Sequence, residues 1–540
     1  MRHFSITLIL ATAGALGGLA GCASQVEFNS PSPLGRGVSG KAWRAPIYAD
    51  GGLYTPDALT PAQALMAFDA TSSGTTIQVA GTWHDQASSV YTGQALRYVD
   101  GAGFSTPGPA YGPIASNGGV SFGFPTIMSG PGGLFAAAFF EAAGGTSAVS
   151  ALFTGNSWLN YPTAATLGLR PHLDPTTNNL INGPRVVSTM DRLGRGFVFF
   201  ADSADGVTLN RVRFAGWQTA NTSGIDSTLQ DVSGADVSDL GGLTARFDGI
   251  KFACVTYELS ATPSLEVKCV DISLGGAFDF AGATSTTLSS DAMAGHESAT
   301  DGAGGIMSVF YQSSGGEYHV YANLGVNGAF EASPTRIDTA LGDGEYAGYL
   351  APSPTTIPGA RPGVAHVGGG RFLAIWAGVE ADSGYGRTQL FSALYTPATG
   401  WAPAAAIPGT HDFYSTTPHP QGLSVYGNGD GNAGFALNMI YTTDAIGPNA
   451  AVLPEIYAES AQARVTMVGR WQQDNGWLAP ATVGNVCYLP AMAAADGRCS
   501  HRPKGVMFPS GNTVVLYMDR DNYVNAPSVG NYRLMATEFK

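Results

Sequence analysis

The chain has 540 residues and a formal net charge of −14, from 26 Lys+Arg against 40 Asp+Glu, with only 12% charged residues. Gly 73 and Pro 32 argue against long helices, the acidic balance argues against a nucleic-acid partner, and 44% hydrophobic residues argue against bulk disorder. A turn-rich, β-rich globular protein remains.

In chain order, Met1 to Cys22 read MRHFSITLILATAGALGGLAGC. Arg2 and His3 precede an uncharged apolar run, Phe4 to Ala20, which ends in Leu19-Ala20-Gly21-Cys22. The run is shorter than the ~20 residues that span a bilayer comfortably, and it reads as a signal peptide. Its end resembles the lipobox of bacterial lipoproteins. The resemblance implies a signal peptide over 1–21, cleavage before Cys22, acylation of that Cys, and a lipid anchor. With Ala23 and Ser24 following, it implies the outer membrane of a Gram-negative envelope. Residues 22–40 are polar and carry Gly, Ser and Pro, as a tether does. The body is expected to be one domain over 41–540.

Along the body a small turn followed by an aromatic recurs. The instances are Gly103-Phe104, Ser157-Trp158, Gly216-Trp217, Ala277-Phe278, Ala329-Phe330, Gly400-Trp401 and Gly476-Trp477, at intervals of 54, 59, 61, 52, 71 and 76 residues. Before each lies a pair of alternating, β-branched or aromatic runs, such as GFVFFADS with LNRVRFAG, or RFLAIWAG with QLFSALYTPATG. These are strands by period and by their bounding Gly, Asn and Asp. An eighth pair, NTVVLYMDRD and NYRLMATEF, ends the chain with no aromatic after it. Its counterpart stands at the other end, where Trp43-Arg44-Ala45-Pro46 matches Trp477-Leu478-Ala479-Pro480. In a ring of four-stranded sheets the aromatic opens each outermost strand, and a last sheet that borrows that strand from the N-terminus explains the offset. The expected fold is an all-β, eight-bladed β-propeller, or seven-bladed if one repeat is degenerate, closed by the strand around Trp43.

Removing Cys22 from the five cysteines leaves Cys254, Cys269, Cys487 and Cys499, which allow three pairings. Local pairing, 254 with 269 and 487 with 499, suits an exported chain. No metal-ligand motif accompanies them, so no metal is expected. Asn428-Gly-Asp430-Gly-Asn432 spaces its oxygens as calcium loops do, and also as an ordinary hairpin turn does.

The long segments fall between the last strand of one repeat and the first of the next, with one further insertion at 442–462. They share one face of a propeller, and long loops on a rigid scaffold are where binding and chemistry sit. Arg185, Arg361 and Arg502 stand where innermost strands begin, with Arg246, His296 and His419 in comparable places. Converging guanidiniums there suit a carboxylate, sulfate or phosphate. Equally, each Arg can pair with an acid of the neighbouring blade and staple the ring. Candidate carboxylates on the same face are Asp174, Glu297, Asp412, Glu455 and Glu459.

Three axial arginines with Gly-Trp repeat endings resemble the sialidase-like propeller superfamily over about 41–540. The fragment Ser203-Ala-Asp205-Gly-Val-Thr208 is one residue short of that family's Asp-box and lacks its Trp. The family's Tyr–Glu nucleophile pair and acid Asp have no counterpart that can be assigned, so its glycosidase activity is not carried over. Three functions stay open. The anchor, the uneven loops and the lack of a catalytic motif point to a monomeric, membrane-anchored module binding a glycan or envelope protein through the long-loop face. The first alternative is a hydrolase or lyase acting on anionic sugars, and the second is a scaffold in an envelope complex.

Overall fold

The computed structural model describes residues 41–49, 63–85, 90–105, 108–115, 126–129, 135–141, 148–154, 158–161, 186–202, 211–218, 229–237, 242–261, 263–273, 278–291, 293–314, 317–339, 361–379, 387–410, 413–414, 421–441, 462–489, 503–520 and 532–540. Every regular element among them is a β-strand. The strands form a propeller of separate antiparallel sheets, here numbered I to VIII. Sheets I to VII are each built from strands consecutive in sequence. Their innermost strands are Gln63–Ser73, Thr126–Ser129, Val186–Met190, Leu243–Phe247, Met293–Thr300, Gly363–Gly368 and Gln421–Gly427. Sheet VIII joins both ends of the chain, in the order Lys504–Met507, Thr513–Arg520, Tyr532–Phe539 and Ile47–Tyr48. The innermost strands touch in chain order, and that of sheet VIII meets that of sheet I, which closes the circle.

The second and third strands of a sheet are covered on both faces. Phe252–Leu259 shows the result: its six central residues are all buried. Apolar side chains therefore point to both neighbours, and wedge-shaped cores fill the gaps between sheets. Phe197, Phe199 and Phe214 of sheet III pack with Phe278 and Phe280 of sheet IV, in a cluster of edge-on and tilted rings. Leu65, Ile77 and Trp83 of sheet I share a core with Val514, Leu516 and Leu534 of sheet VIII.

The closure is specific. Ile47 pairs with Ala536 and Tyr48 with Met535, while Trp43 forms a bridge with Phe539. Trp43 is 4% exposed and meets the Phe539 ring edge-on at 5.3 Å. From sheet VII, the buried Arg470 lies over the other aromatic partner of this seam, 4.5 Å from the Phe539 centroid. Its Nη1 donates to Gly511 O at 2.7 Å and Thr513 Oγ1 at 2.9 Å, and its Nη2 to Asn432 Oδ1 at 3.1 Å. Lys41 Nζ donates to Asn512 Oδ1 at 2.8 Å, and Asn512 Nδ2 donates to Asp100 of sheet I at 2.9 Å. One seam thus ties sheets VII, VIII and I to the first described residues.

The turns between first and second strands repeat one device that the sequence reading did not pick out. Asp191, Asp301 and Asn428 each turn a side-chain oxygen onto backbone N–H groups two and four residues on, and Asp248 does so two, three and four residues on. These Asx-type bonds satisfy the turn's own donors. Asn428-Gly-Asp430-Gly-Asn432 is thereby an ordinary hairpin turn. Neighbouring turns also interlock. Gly249, at φ +87°, has no room for a Cβ, which would lie 2.2 Å from Gly302 O, and Gly304 N donates to Asp248 O at 2.9 Å.

Two expectations about repeat endings differ from the structure. Trp217 does not open an outer strand; it lies inside the third strand, Arg211–Gln218, because that strand pairs with the whole of Arg195–Asp202. Phe278 precedes its outer strand, Ser285–Ser289, by seven residues and is spent on the core between sheets III and IV. Phe330, Trp401 and Trp477 do lie in the opening pairs of outer strands.

Candidate functional site

The inner strands of sheets I, V and VII all shift register near their starts, between Leu65 and Ala67, Met293 and His296, and Gln421 and Leu423. Strand starts lie on the face of the long connections. A bulge adds an unpaired residue and re-aims the side chains beside it. In sheet V the bulge holds Gly295 at φ +100°, a backbone that favours Gly. The missing side chain makes room for sheet VI: a Cβ on Gly295 would stand 3.0 Å from Cγ of Arg361. Arg361 is buried, two residues ahead of its own strand, and its Nη1 donates to His296 O at 3.3 Å.

His296 is fully buried on the inner strand of sheet V. Burial, and then the Arg361 charge, push its pKa down to about 3, against an opposing pull from Glu297. The Thr256 backbone favours the protonated ring. Even so, neither ring nitrogen reaches hydrogen-bond geometry with any described group. The imidazole is therefore neutral at physiological pH.

Arg246 grips the same strand from the other side. Its Nε donates to Ser298 O at 2.7 Å, its Nη1 to Ala245 O at 2.8 Å, and its Nη2 to Glu297 Oε1 at 2.8 Å. Hydroxyls continue the contact: Thr244 Oγ1 lies 3.3 Å from Ser298 Oγ, which lies 2.9 Å from Ser308 Oγ. Across the ring, Lys504 of sheet VIII pairs with Asp69 of sheet I at 2.7 Å. Thr126 of sheet II donates to Asp69 at 3.4 Å and meets Ser188 of sheet III at 3.0 Å. The inner strands are thus tied to one another by polar side chains.

The structure brings Arg246 and Arg361 to opposite sides of His296 and Glu297. Arg246 lies toward the end of its strand, Leu243–Phe247, rather than its start, and makes the inter-sheet ion pair that sequence reading held as one option. Arg185, Arg502, His419, Asp174, Asp412, Glu455, Glu459, Cys22 and the Asp-box-like fragment lie outside the described residues. Cys254 and Cys269 face each other in register and form a disulfide, S–S 2.07 Å. Cys499 lies outside the described residues, as does the side chain of Cys487. Among the described residues, no group of three or more His, Cys, Asp or Glu is placed to hold a metal ion. Sequence reasoning missed Gly295, although a lone Gly beside a strand His is a bulge signal.

No known family model matches the chain, and no curated protein matches it. Solved structures similar to it include a prolyl endopeptidase, at 11% identity and TM-score 0.40, covering 86% of this chain and 54% of that one. An ulvan lyase of polysaccharide lyase family PL25 is similar at 10% identity and TM-score 0.39, over 74% of this chain and 89% of that one. The phage phi92 endosialidase is similar at 10% identity and TM-score 0.34, over 89% of this chain and 67% of that one. This chain therefore spans about half of that endopeptidase's length.

Proposed function

We propose that the protein is an outer-membrane lipoprotein, anchored through acylated Cys22, whose propeller binds an anionic glycan or a protein ligand through the long-loop face. In this reading sheet VIII is the last of eight blades. Arg361, with Arg185, Arg502 and His419, supplies the positive charge at that face, while Arg246 staples sheets IV and V. The supporting observation is the bulged start of three inner strands on that face, where Arg361 is seated against Gly295 and His296. Bulges concentrate where a sheet re-aims side chains toward a site.

The test has two arms. The first is a glycan array of carboxylated and sulfated oligosaccharides probed with the acyl-free chain beginning at Ala23, together with a pull-down on envelope extract. A charge-assisted contact is worth about 1.5–3 kcal/mol, so Arg361→Ala should weaken binding by roughly 10- to 100-fold, with Arg361→Lys in between. Binding indifferent to Arg185, Arg361, Arg502 and His419 variants that fold normally would reject this face. The second arm is mass spectrometry of the N-terminal peptide, which should carry acyl chains on Cys22 and lose them in Cys22→Ala.

A further inference from the structure

The face opposite the long connections has a distinct surface. Its turn tips are mostly Gly, Asn and inward-facing Asp, yet three adjacent sheets present aliphatic tips: Leu193 (74% exposed) in sheet III, Ile250 (51%) in sheet IV and Val326 (50%) in sheet V. Among the described residues only Ile47 and Tyr48, on the closing strand, are comparable exposed large hydrophobics. The three tips belong to one interlocked unit. Arg192 Nη2 donates to Gly302 O at 3.1 Å, Gly249 packs on Gly302, and Ile250 Cδ1 and Asn327 Oδ1 both crowd the position of a Cβ on Gly304. The acids of the two turns are turned away: Asp191 and Asp248 are buried, and both oxygens of Asp191 and Oδ1 of Asp248 serve their own turns. The cations stay outside, Arg192 exposed and Lys251 beside Asp271 at 3.3 Å.

The N-terminal segment reaches the ring on this same face. Lys41 Nζ donates to Ser510 O, in the first turn of sheet VIII, at 3.0 Å. Ala42 N donates to Lys540 O at 3.0 Å, where the last strand ends. Eighteen residues, 23–40, separate the anchor Cys from Lys41, and such a chain spans at most ~65 Å when fully extended.

The geometry points to this turn face as a bilayer-contacting surface: Leu193, Ile250 and Val326 enter the headgroup boundary opposite the seam where the lipid-anchored segment arrives. The inference rests on the reading of Cys22 as the anchor. The acyl chains keep the ring within the tether's reach of the membrane, and three aliphatic tips across the ring supply a direct contact. Alone, so small an apolar patch binds weakly; tethering makes its insertion intramolecular and raises its effective concentration. Two contacts on one face lay the ring flat, with the long-loop face pointing away from the lipid.

The test uses the full acylated protein reconstituted in vesicles containing lipids brominated along the acyl chain. Single tryptophans are added as Leu193→Trp, Ile250→Trp and, on the opposite face, Ala261→Trp. Each emission is read as the difference from the parent chain. The added signal at 193 and 250 should be quenched at least twofold more than that at 261. A Leu193→Asp, Ile250→Asp pair with the anchor intact should restore protease access to the turn face. Equal quenching at all three sites, or none, in protein that carries acyl chains by mass spectrometry overturns the inference and leaves the anchor standing. Crosslinks from 193 and 250 to an envelope protein rather than to lipid also overturn it. If no acyl chain is found, the anchor reading fails, and the same tryptophans with added vesicles decide the face: quenching at 193 and 250 supports it, and its absence removes it.

Discussion

The two faces of the ring spend their polar groups in opposite ways. On the turn face, Asp191, Asp248, Asp301 and Asn428 satisfy backbone donors within their own loops, and Gly249 seats its backbone against Gly302. On the other face, inner strands bulge, and the buried His296 keeps ring nitrogens outside hydrogen-bond geometry beside the buried Arg361. Well-paired turns contribute stability; a buried polar group without a partner costs it. The contrast teaches that the turn face carries the closure of the ring, while the start of sheet V's inner strand holds a buried imidazole without a hydrogen-bond partner among the described residues.

The largest effect should come at the seam, on the turn-face edge. Trp43→Ala removes a buried indole from between sheets VII and VIII and should cost about 3–5 kcal/mol, read as a drop in the thermal and denaturant midpoints. A midpoint unchanged from wild type would detach the seam from closure. Next comes the disulfide. Its sequence separation is 15 residues, so Cys254→Ser with Cys269→Ser should cost about 3 kcal/mol, measured by denaturant titration of the oxidised parent and the variant. Gly249→Ala should then cost about 1–3 kcal/mol, because it combines a positive φ with a backbone clash against the adjoining turn. The same substitution at Gly234, which is also at positive φ but meets nothing within 4 Å, should cost less. If both cost the same, turn interlocking contributes nothing.

The smallest effect sharpens the other side of the contrast. His296 sits at about 3 in the folded protein against an ordinary 6.5. Between those values the unfolded chain binds a proton that the folded chain does not. Stability therefore falls as pH is lowered from about 6.5 toward 3, by up to ~1.4 kcal/mol per pH unit from this group. His296→Gln should flatten the difference between stabilities measured at pH 7 and pH 5. An unchanged difference would show that the ring is solvated or hydrogen-bonded after all.

Much of the fold was legible because strands covered on both faces leave long apolar runs bounded by Gly and Asp, as in Arg195–Asp202 and Arg371–Val379. The offset of Trp43 was legible because the chain's first outer strand and its last sheet are otherwise each incomplete. Trp217 misled because its Gly-Trp pair looks like a repeat ending, whereas the tight turn at Asp191–Arg195 lengthens the pairing as far as Gln218. At the candidate site the residue types were readable and their partners were not. Arg246 meets Glu297 across 51 positions, and Arg361 meets His296 across 65, through lateral packing of inner strands that no local pattern encodes.

The central claim is that both ends of the chain share one sheet. Hydrogen exchange read by mass spectrometry tests it on the unmodified protein. The amides of Ala42, Arg44 and Ala49 donate to Lys540, Glu538 and Leu534. Peptides covering 42–49 should therefore be protected to the same degree as those covering 532–540, and the two should open together as denaturant is raised. Exchange of 42–49 within seconds, while 532–540 stays protected, would contradict the account.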